Sequence, residues 1–232
     1  MPRSLSAAVF LRAASSLTTT GMEPHKCETA EHDAAASGLP EPVLINILRL
    51  LPQHDRLACA ALVCKSWAAA AIAATTALTV SGRSSPPASS EAELDAGLSA
   101  FLQRLPGLNL LSLRHRQASD AALAQLSCLQ QLQDCTLRCP RMTPAVLAHL
   151  TVSLTSLTLT GGKGVLQEGS LPAAGWPHLK ELSVAQRLMQ PALLARLTTL
   201  ERLSLKSCRL KTRMITVSRS NMRVVDLWVK II

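Results

Sequence analysis

Tyrosine is absent from the 232 residues, and the only rings of comparable size are Phe10, Phe101, Trp67, Trp176 and Trp228. A core built on aromatic packing is therefore excluded, and little is left for stacking bases. Charge is sparse at 17% against 48% hydrophobic residues, which excludes disorder throughout. Cysteine is not scarce, but seven (Cys27, Cys59, Cys64, Cys128, Cys135, Cys139 and Cys208) is an odd number scattered in apolar surroundings. Such thiols read as small buried hydrophobes of a reducing compartment, cytoplasmic or nuclear, rather than as a bridge framework. Long apolar runs are limited to Leu57–Val80, interrupted by Lys65, Thr75 and Thr76 and diluted by alanine. The run reads as an alanine-rich helix, and no membrane association is expected. Acid is missing before Glu23, while Arg3 and Arg12 stand among Ser, Thr and Ala. That composition suits an organelle transit segment at residues 1–22, a plain tail, or a chain that starts at Met22.

The excess of 24 Lys and Arg over 15 Asp and Glu, +9 in all, is uneven. From Arg196 onward nine basic residues face only Glu201 and Asp226, so the basic character belongs to the C-terminal end.

Leucine is what the chain has in abundance, 42 residues, more than an ordinary core needs and what one repeat used many times would produce. Before any repeat, Leu44, Ile47, Leu48 and Leu51 recur at helical spacing, with Pro42 at the start and Pro52 as the stop. A second helix is predicted from Asp55, acting as cap, through Leu57, Ala61 and Leu62 to Trp67. Leu39-Pro40, the Val43-Leu44-x-x-Ile47-Leu48-x-x-Leu51-Pro52 stripe, Leu57 and the later Val63-Cys64-Lys65-x-Trp67 together resemble the F-box family over about thirty residues. Arg56 departs from the pattern, standing where the family usually has an apolar residue.

Ser81–Ser90 reads as a flexible connector, followed by a helix over Glu91–Leu105 capped by Ser90, with Leu94, Leu98, Phe101, Leu102 and Leu105 on one face. From Leu108 the motif apolar-x-x-apolar-x-apolar returns six times, at Leu108, Leu132, Leu154, Leu179, Leu200 and Met222, with spacings of 24, 22, 25, 21 and 22 residues. This is the period of leucine-rich repeats, each supplying one short parallel strand, with helical returns after Ser119, Thr143 and Gln190. The polar or Cys residue nine places into that family's motif occurs only as Cys208. Arg116, Pro140, Gly162, Arg187 and Lys230 occupy the other places, and Cys139 comes one residue early. Loose or water-bonded turns are therefore expected. The motif ends at Ile231-Ile232 without a polar cap, which leaves truncation or an exposed apolar last strand. The predicted class is α/β: a tail over residues 1–37, a helical module over 38–80, a linker over 81–90, and a short leucine-rich-repeat horseshoe over 91–232.

No catalytic constellation is found, and no cofactor or metal is assigned. Gly161-Gly162-Lys163-Gly164 lacks the first glycine and the Ser or Thr of a phosphate loop. Cys135 and Cys139 have no second pair for zinc, and His115, His149 and His178 fall in separate repeats as surface or loop residues. Strand parity puts Ser112, Thr136, Thr158, Ser183, Ser204 and Asp226 in one column of the concave face, and Arg114, Arg138, Thr160, Ala185, Lys206 and Trp228 in the next. Arg114, Arg138, Lys206 and Trp228 are the candidate substrate-binding residues, suited to an acidic or phosphorylated peptide.

The resemblance to F-box proteins with leucine-rich repeats implies a non-catalytic receptor of a ubiquitin ligase. Its helices would dock on a Skp-type adaptor, and through it a cullin, while its repeats hold a target protein. Carried over position by position, the implied adaptor contacts are Leu39, Pro40, Val43, Leu44, Ile47, Leu48, Leu51, Leu57, Val63 and Trp67. The alternative of another class is a repeat protein outside ubiquitination that binds an acidic partner or nucleic acid through its basic C-terminal end.

Overall fold

A computed structural model describes residues 5–6, 39–82, 91–116, 118–172, 175–186, 188–210 and 223–231. Pro42 lies in the first turn of α1 (Glu41–Arg49), where its missing N–H has no intrahelical partner to lose, and Glu41 complements the positive helix end. Leu44 and Leu48, one turn apart, are buried, whereas Val43, Ile47 and Leu50 face outward. The predicted second helix is not continuous. It splits into α2 (Gln53–Ala58), a 3-10 turn over Ala60–Leu62, and α3 (Lys65–Ala73). Pro52, not Asp55, stands at its N-terminal boundary. The break has a packing cause: a straight helix from Gln53 to Ala73 would run roughly 30 Å and carry Ala70 and Ala71 away from Leu44 and Leu48, with which they form one small core.

The alanine-rich run also ends differently from the sequence reading. After Ala74 the chain turns extended and forms β2 (Ala77–Gly82), which pairs in parallel with β3 (Leu110–His115). Leu78, Thr79 and Val80 alternate inward and outward as a strand requires. Thr75, buried before it, returns its hydroxyl to Ala71 O at 2.7 Å. The strand thus runs across the expected boundary between residues 80 and 81. Of the expected linker, 83–90 lies outside the described residues, as do Ser90 and nearly all of residues 1–38. The exception is β1 (Leu5–Ser6), which pairs in parallel with Val80 and Ser81 of β2.

The remaining strands are β4 (Asp134–Arg138), β5 (Ser156–Thr160), β6 (Val165–Leu166), β7 (Glu181–Ala185), β8 (Leu188–Met189), β9 (Arg202–Leu210) and β10 (Arg223–Ile231), and every pairing is parallel. One strand per repeat lies beside the next in chain order, the arrangement of a leucine-rich-repeat sheet. The predicted register holds from β3 to β9, where Leu111, Cys135, Leu157, Leu182 and Leu203 are cross-strand partners and all buried. On β10 it slips: Val224 rather than the predicted Val225 stands opposite Leu203, and a bulge follows before Leu227 meets Leu205. Leu108, Leu132, Leu154, Leu179 and Leu200, the first positions of the motif, are buried beneath them.

Behind the sheet, α4 (Glu91–Gln103) buries Leu98, Phe101 and Leu102, with Leu105 just beyond its end. The returns are shorter than ordinary helices. A single turn α5 (Asp120–Leu123) continues as 3-10 to Cys128, Pro144–His149 is wholly 3-10 with Thr143 accepting from Ala145 N–H, and α6 (Pro191–Arg196) closes the next repeat. A repeat of little more than twenty residues leaves no room for more. Two of the turns are closed rather than loose. Gly161 N–H donates to Ala185 O at 3.1 Å and Gln186 N–H to Lys206 O at 2.9 Å, so the following repeat's backbone replaces the missing polar ladder. Where a thiol is present it does the same work: the buried Cys208 donates to Val184 O at 3.2 Å.

Candidate functional site

Two surfaces carry the functional argument, one on the helices and one on the sheet. On the helices, Leu39, Pro40, Val43, Ile47 and Val63 are exposed, and they are joined by Leu50 at 86% exposure and Leu62 at 61%, which sequence reasoning did not single out. Leu50 continues the Val43, Ile47 stripe by one more turn and was legible by that spacing. Leu62 follows from nothing in the pattern, because only the 3-10 turn presents it.

The other expected contacts sit elsewhere. Leu44 and Leu48 are buried in the small helical core, and Leu57 is buried in the core of the sheet. Leu51 and Trp67 are half-buried against the helical core. Leu44, Leu48 and Leu57 therefore build the module rather than offer a surface, because one face of a short helix must cover the core before the other can meet a partner.

Arg56, the departure from the family pattern, braces this module. Its guanidinium donates to Ala74 O at 2.7 Å and Leu51 O at 2.8 Å, tying the end of α3 to the end of α1. Burial, with a smaller push from Arg49, lowers its pKa. Gln53 fastens the module to the sheet: its side-chain N–H donates to Thr79 O at 3.1 Å and its carbonyl oxygen accepts from Thr79 N–H at 2.8 Å, as a neighbouring strand would. With Leu57 in the sheet's core, α2 belongs to both parts.

On the open face of the sheet the two predicted columns are real. Ser112, Thr136, Thr158, Ser183 and Ser204 are cross-strand partners, and β2 adds Thr79 at their head. Beside them run Ser81, Arg114, Arg138, Thr160, Ala185 and Lys206, with Arg114, Arg138 and Lys206 exposed. The backbone of Asp226 and Trp228 extends both columns onto β10, while the Trp228 side chain lies outside what is described. A third row at the N-terminal ends reads Leu110, Asp134, Ser156, Glu181 and Arg202, in which Arg202 and Glu181 pair at 2.9 Å. A groove of about 160 Å³ lies between Ser156, Thr158, Ser183 and Ser204.

Cys135, His115 and the glycine turn are engaged in packing. Burial, reinforced by Cys139 and Asp134, pushes the Cys135 thiol well above its ordinary range, so it stays protonated. His115 is buried in β3, not a surface residue as expected, and its desolvation lowers its pKa against the opposing pull of Asp95. His149 and His178 are exposed. The Gly161–Gly164 turn uses positive φ at Gly161, Gly162 and Gly164, and a Cβ on Gly164 would meet Pro144 at 3.1 Å, so these glycines shape a turn. Among the described residues, His54, Asp55 and Cys59 could hold a cation, their donor atoms lying within 4.8 Å of one another on an accessible part of α2. No helix among the described residues is long and apolar enough to cross a membrane.

Residues 36–74 match the F-box-like family model. No curated protein sequence matches the chain. Among solved structures, internalin C2 from Listeria monocytogenes is similar at 18% identity, covering 82% of this chain and 85% of its own, with a TM-score of 0.47. The chain carries an F-box-like segment followed by a parallel sheet of leucine-rich repeats.

Proposed function

We propose that this chain is the substrate-recruiting subunit of an SCF-type E3 ubiquitin ligase, docking on a Skp-type adaptor, and through it a cullin, by way of α1–α3. The open face of the sheet holds the target protein, and chemistry is supplied by the partners. The subunit's own contribution is proximity, raising the local concentration of a target lysine near the charged ubiquitin carrier.

One observation carries this reading. Among the described side chains, the large apolar residues left exposed are Leu39, Val43, Ile47, Leu50, Leu62, Val63, Leu110 and Val152, and the first six all fall within the F-box-like segment. Outside that segment, Leu110 and Val152 are the exceptions among the described side chains. Burying such a patch against a partner contributes about 25 cal/mol per Å² of apolar surface, which the F-box helices cannot gain from their own core.

The test is capture of a purified Skp-type adaptor by the full chain and by Val43→Asp/Ile47→Asp. Capture by the native chain and its loss in a variant of unchanged melting temperature support the proposal. Undiminished capture by the folded variant, or none by the native chain, overturns it. Salt-sensitive binding to nonspecific nucleic acid without adaptor capture would favour instead a repeat protein acting through its basic end.

A further inference from the structure

The two rims of the sheet treat charge differently. At the N-terminal ends of the strands, Arg202 pairs with Glu181, and Lys180 with Glu201 at 3.2 Å. At the C-terminal ends of β3, β4 and β5 the exposed cations Arg114, Arg116, Arg138 and Lys163 gather, and among the described residues none of them is paired with a carboxylate. Arg114 and Arg138 are direct cross-strand partners, a placement in which like charges repel. Two acids on the returns are committed to neighbouring turns: Asp95 accepts from Ser119 N–H at 3.2 Å, and Asp120 accepts from Thr143 N–H at 2.9 Å and from the Thr143 hydroxyl.

We propose that this rim binds an extended acidic segment of a partner protein, one rich in Asp and Glu. The inference rests on the reading of the sheet's open face as the target-holding surface and names the chemistry that face selects. Strands lie roughly 4.8 Å apart, so the rim from Arg114 on β3 across Arg138 on β4 to the end of β5, whose following turn carries Lys163, spans roughly 10 Å. That is wider than a single phosphate and suited to carboxylates on alternate residues of an extended chain. Ser112, Thr136 and Thr158 run alongside, placed to hydrogen-bond the segment's backbone. None of the described side chains in the three rows is aromatic, so a nucleic acid finds no stacking platform. Because the cations remain exposed, the attraction is screened by salt.

The experiment is fluorescence anisotropy of the full chain with a fluorescein-labelled Glu-rich peptide, its Gln counterpart, a singly phosphorylated peptide without other acids, and oligothymidine. The Glu-rich peptide binds, weakens as salt rises, and weakens on the order of tenfold in Arg114→Gln/Arg138→Gln, a variant whose melting temperature is unchanged. Equal binding of the Gln peptide, no loss in the double variant, or stronger binding of the phosphopeptide or the oligonucleotide overturns the inference. Adaptor capture, run in parallel, is unaffected by the double substitution. Absent peptide binding with intact capture sinks this inference alone, whereas failed capture by the native chain sinks the ligase reading.

Discussion

The helical module and the sheet bury leucine by opposite strategies. In the sheet each inward residue is covered by the strands on either side and by the returns behind, so Leu113, Leu137 and Leu159 are sealed whatever happens outside. The module has two short leucine-bearing turns over a bed of alanine, and its core closes on Leu44 and Leu48 while Ile47 and Leu50 stay in solvent. A repeated element therefore needs only copies of itself, whereas a solitary one is left with a face for something else.

The largest effect that would sharpen this contrast is a cavity in the sheet. Leu113→Ala, at a fully buried rung, is expected to cost about 2–5 kcal/mol, seen as a lower denaturant midpoint, while Leu50→Ser stays within about 0.5 kcal/mol of the native chain. Comparable losses from both would erase the distinction. Arg56→Met comes next, at about 1–3 kcal/mol, because it strips partners from the part-buried carbonyls of Ala74 and Leu51. Hydrogen exchange should localise that loss to α1–α3, and a loss spread evenly over the sheet would contradict the brace. Gln53→Ala removes two hydrogen bonds to Thr79 and should cost about 1–2 kcal/mol. Faster exchange at the Thr79 amide with unchanged exchange in β4 and β5 is the expected signature. The smallest effect is a pH dependence from His115. Its folded-state pKa lies below the ordinary value, so the unfolded chain takes up the proton first as pH falls. Stability is full above about pH 6.5 and declines below it by at most about 1.4 kcal/mol per pH unit. Melting curves of native and His115→Gln chains at neutral and mildly acidic pH should diverge in slope, and parallel curves would rule it out.

Much of the sheet was readable from spacing alone. Leucines at fixed intervals have to be rungs, and the columns of Ser and Thr beside Arg114 and Arg138 follow from strand parity. The strand Ala77–Gly82 was hidden because alanine before it and threonine within it blur helical and extended periods, and because α4 pushes its partner β3 out of the repeat distance. The helical site was half readable. Family positions located the segment, but Leu44, Leu48 and Leu57 share the composition of Val43, Ile47 and Val63, and hydrophobicity does not say which face a short helix turns inward.

Composition and period alone determined that this protein is aliphatic, repetitive and parallel-stranded, because a side chain's alternation along a strand is local geometry. Which leucines remain uncovered, how Gln53 and Arg56 join the helices to the sheet, and which rim gathers the exposed cations Arg114 and Arg138 were decided only by the fold. Those depend on what arrives from distant parts of the chain, and no local pattern encodes a neighbour many residues away.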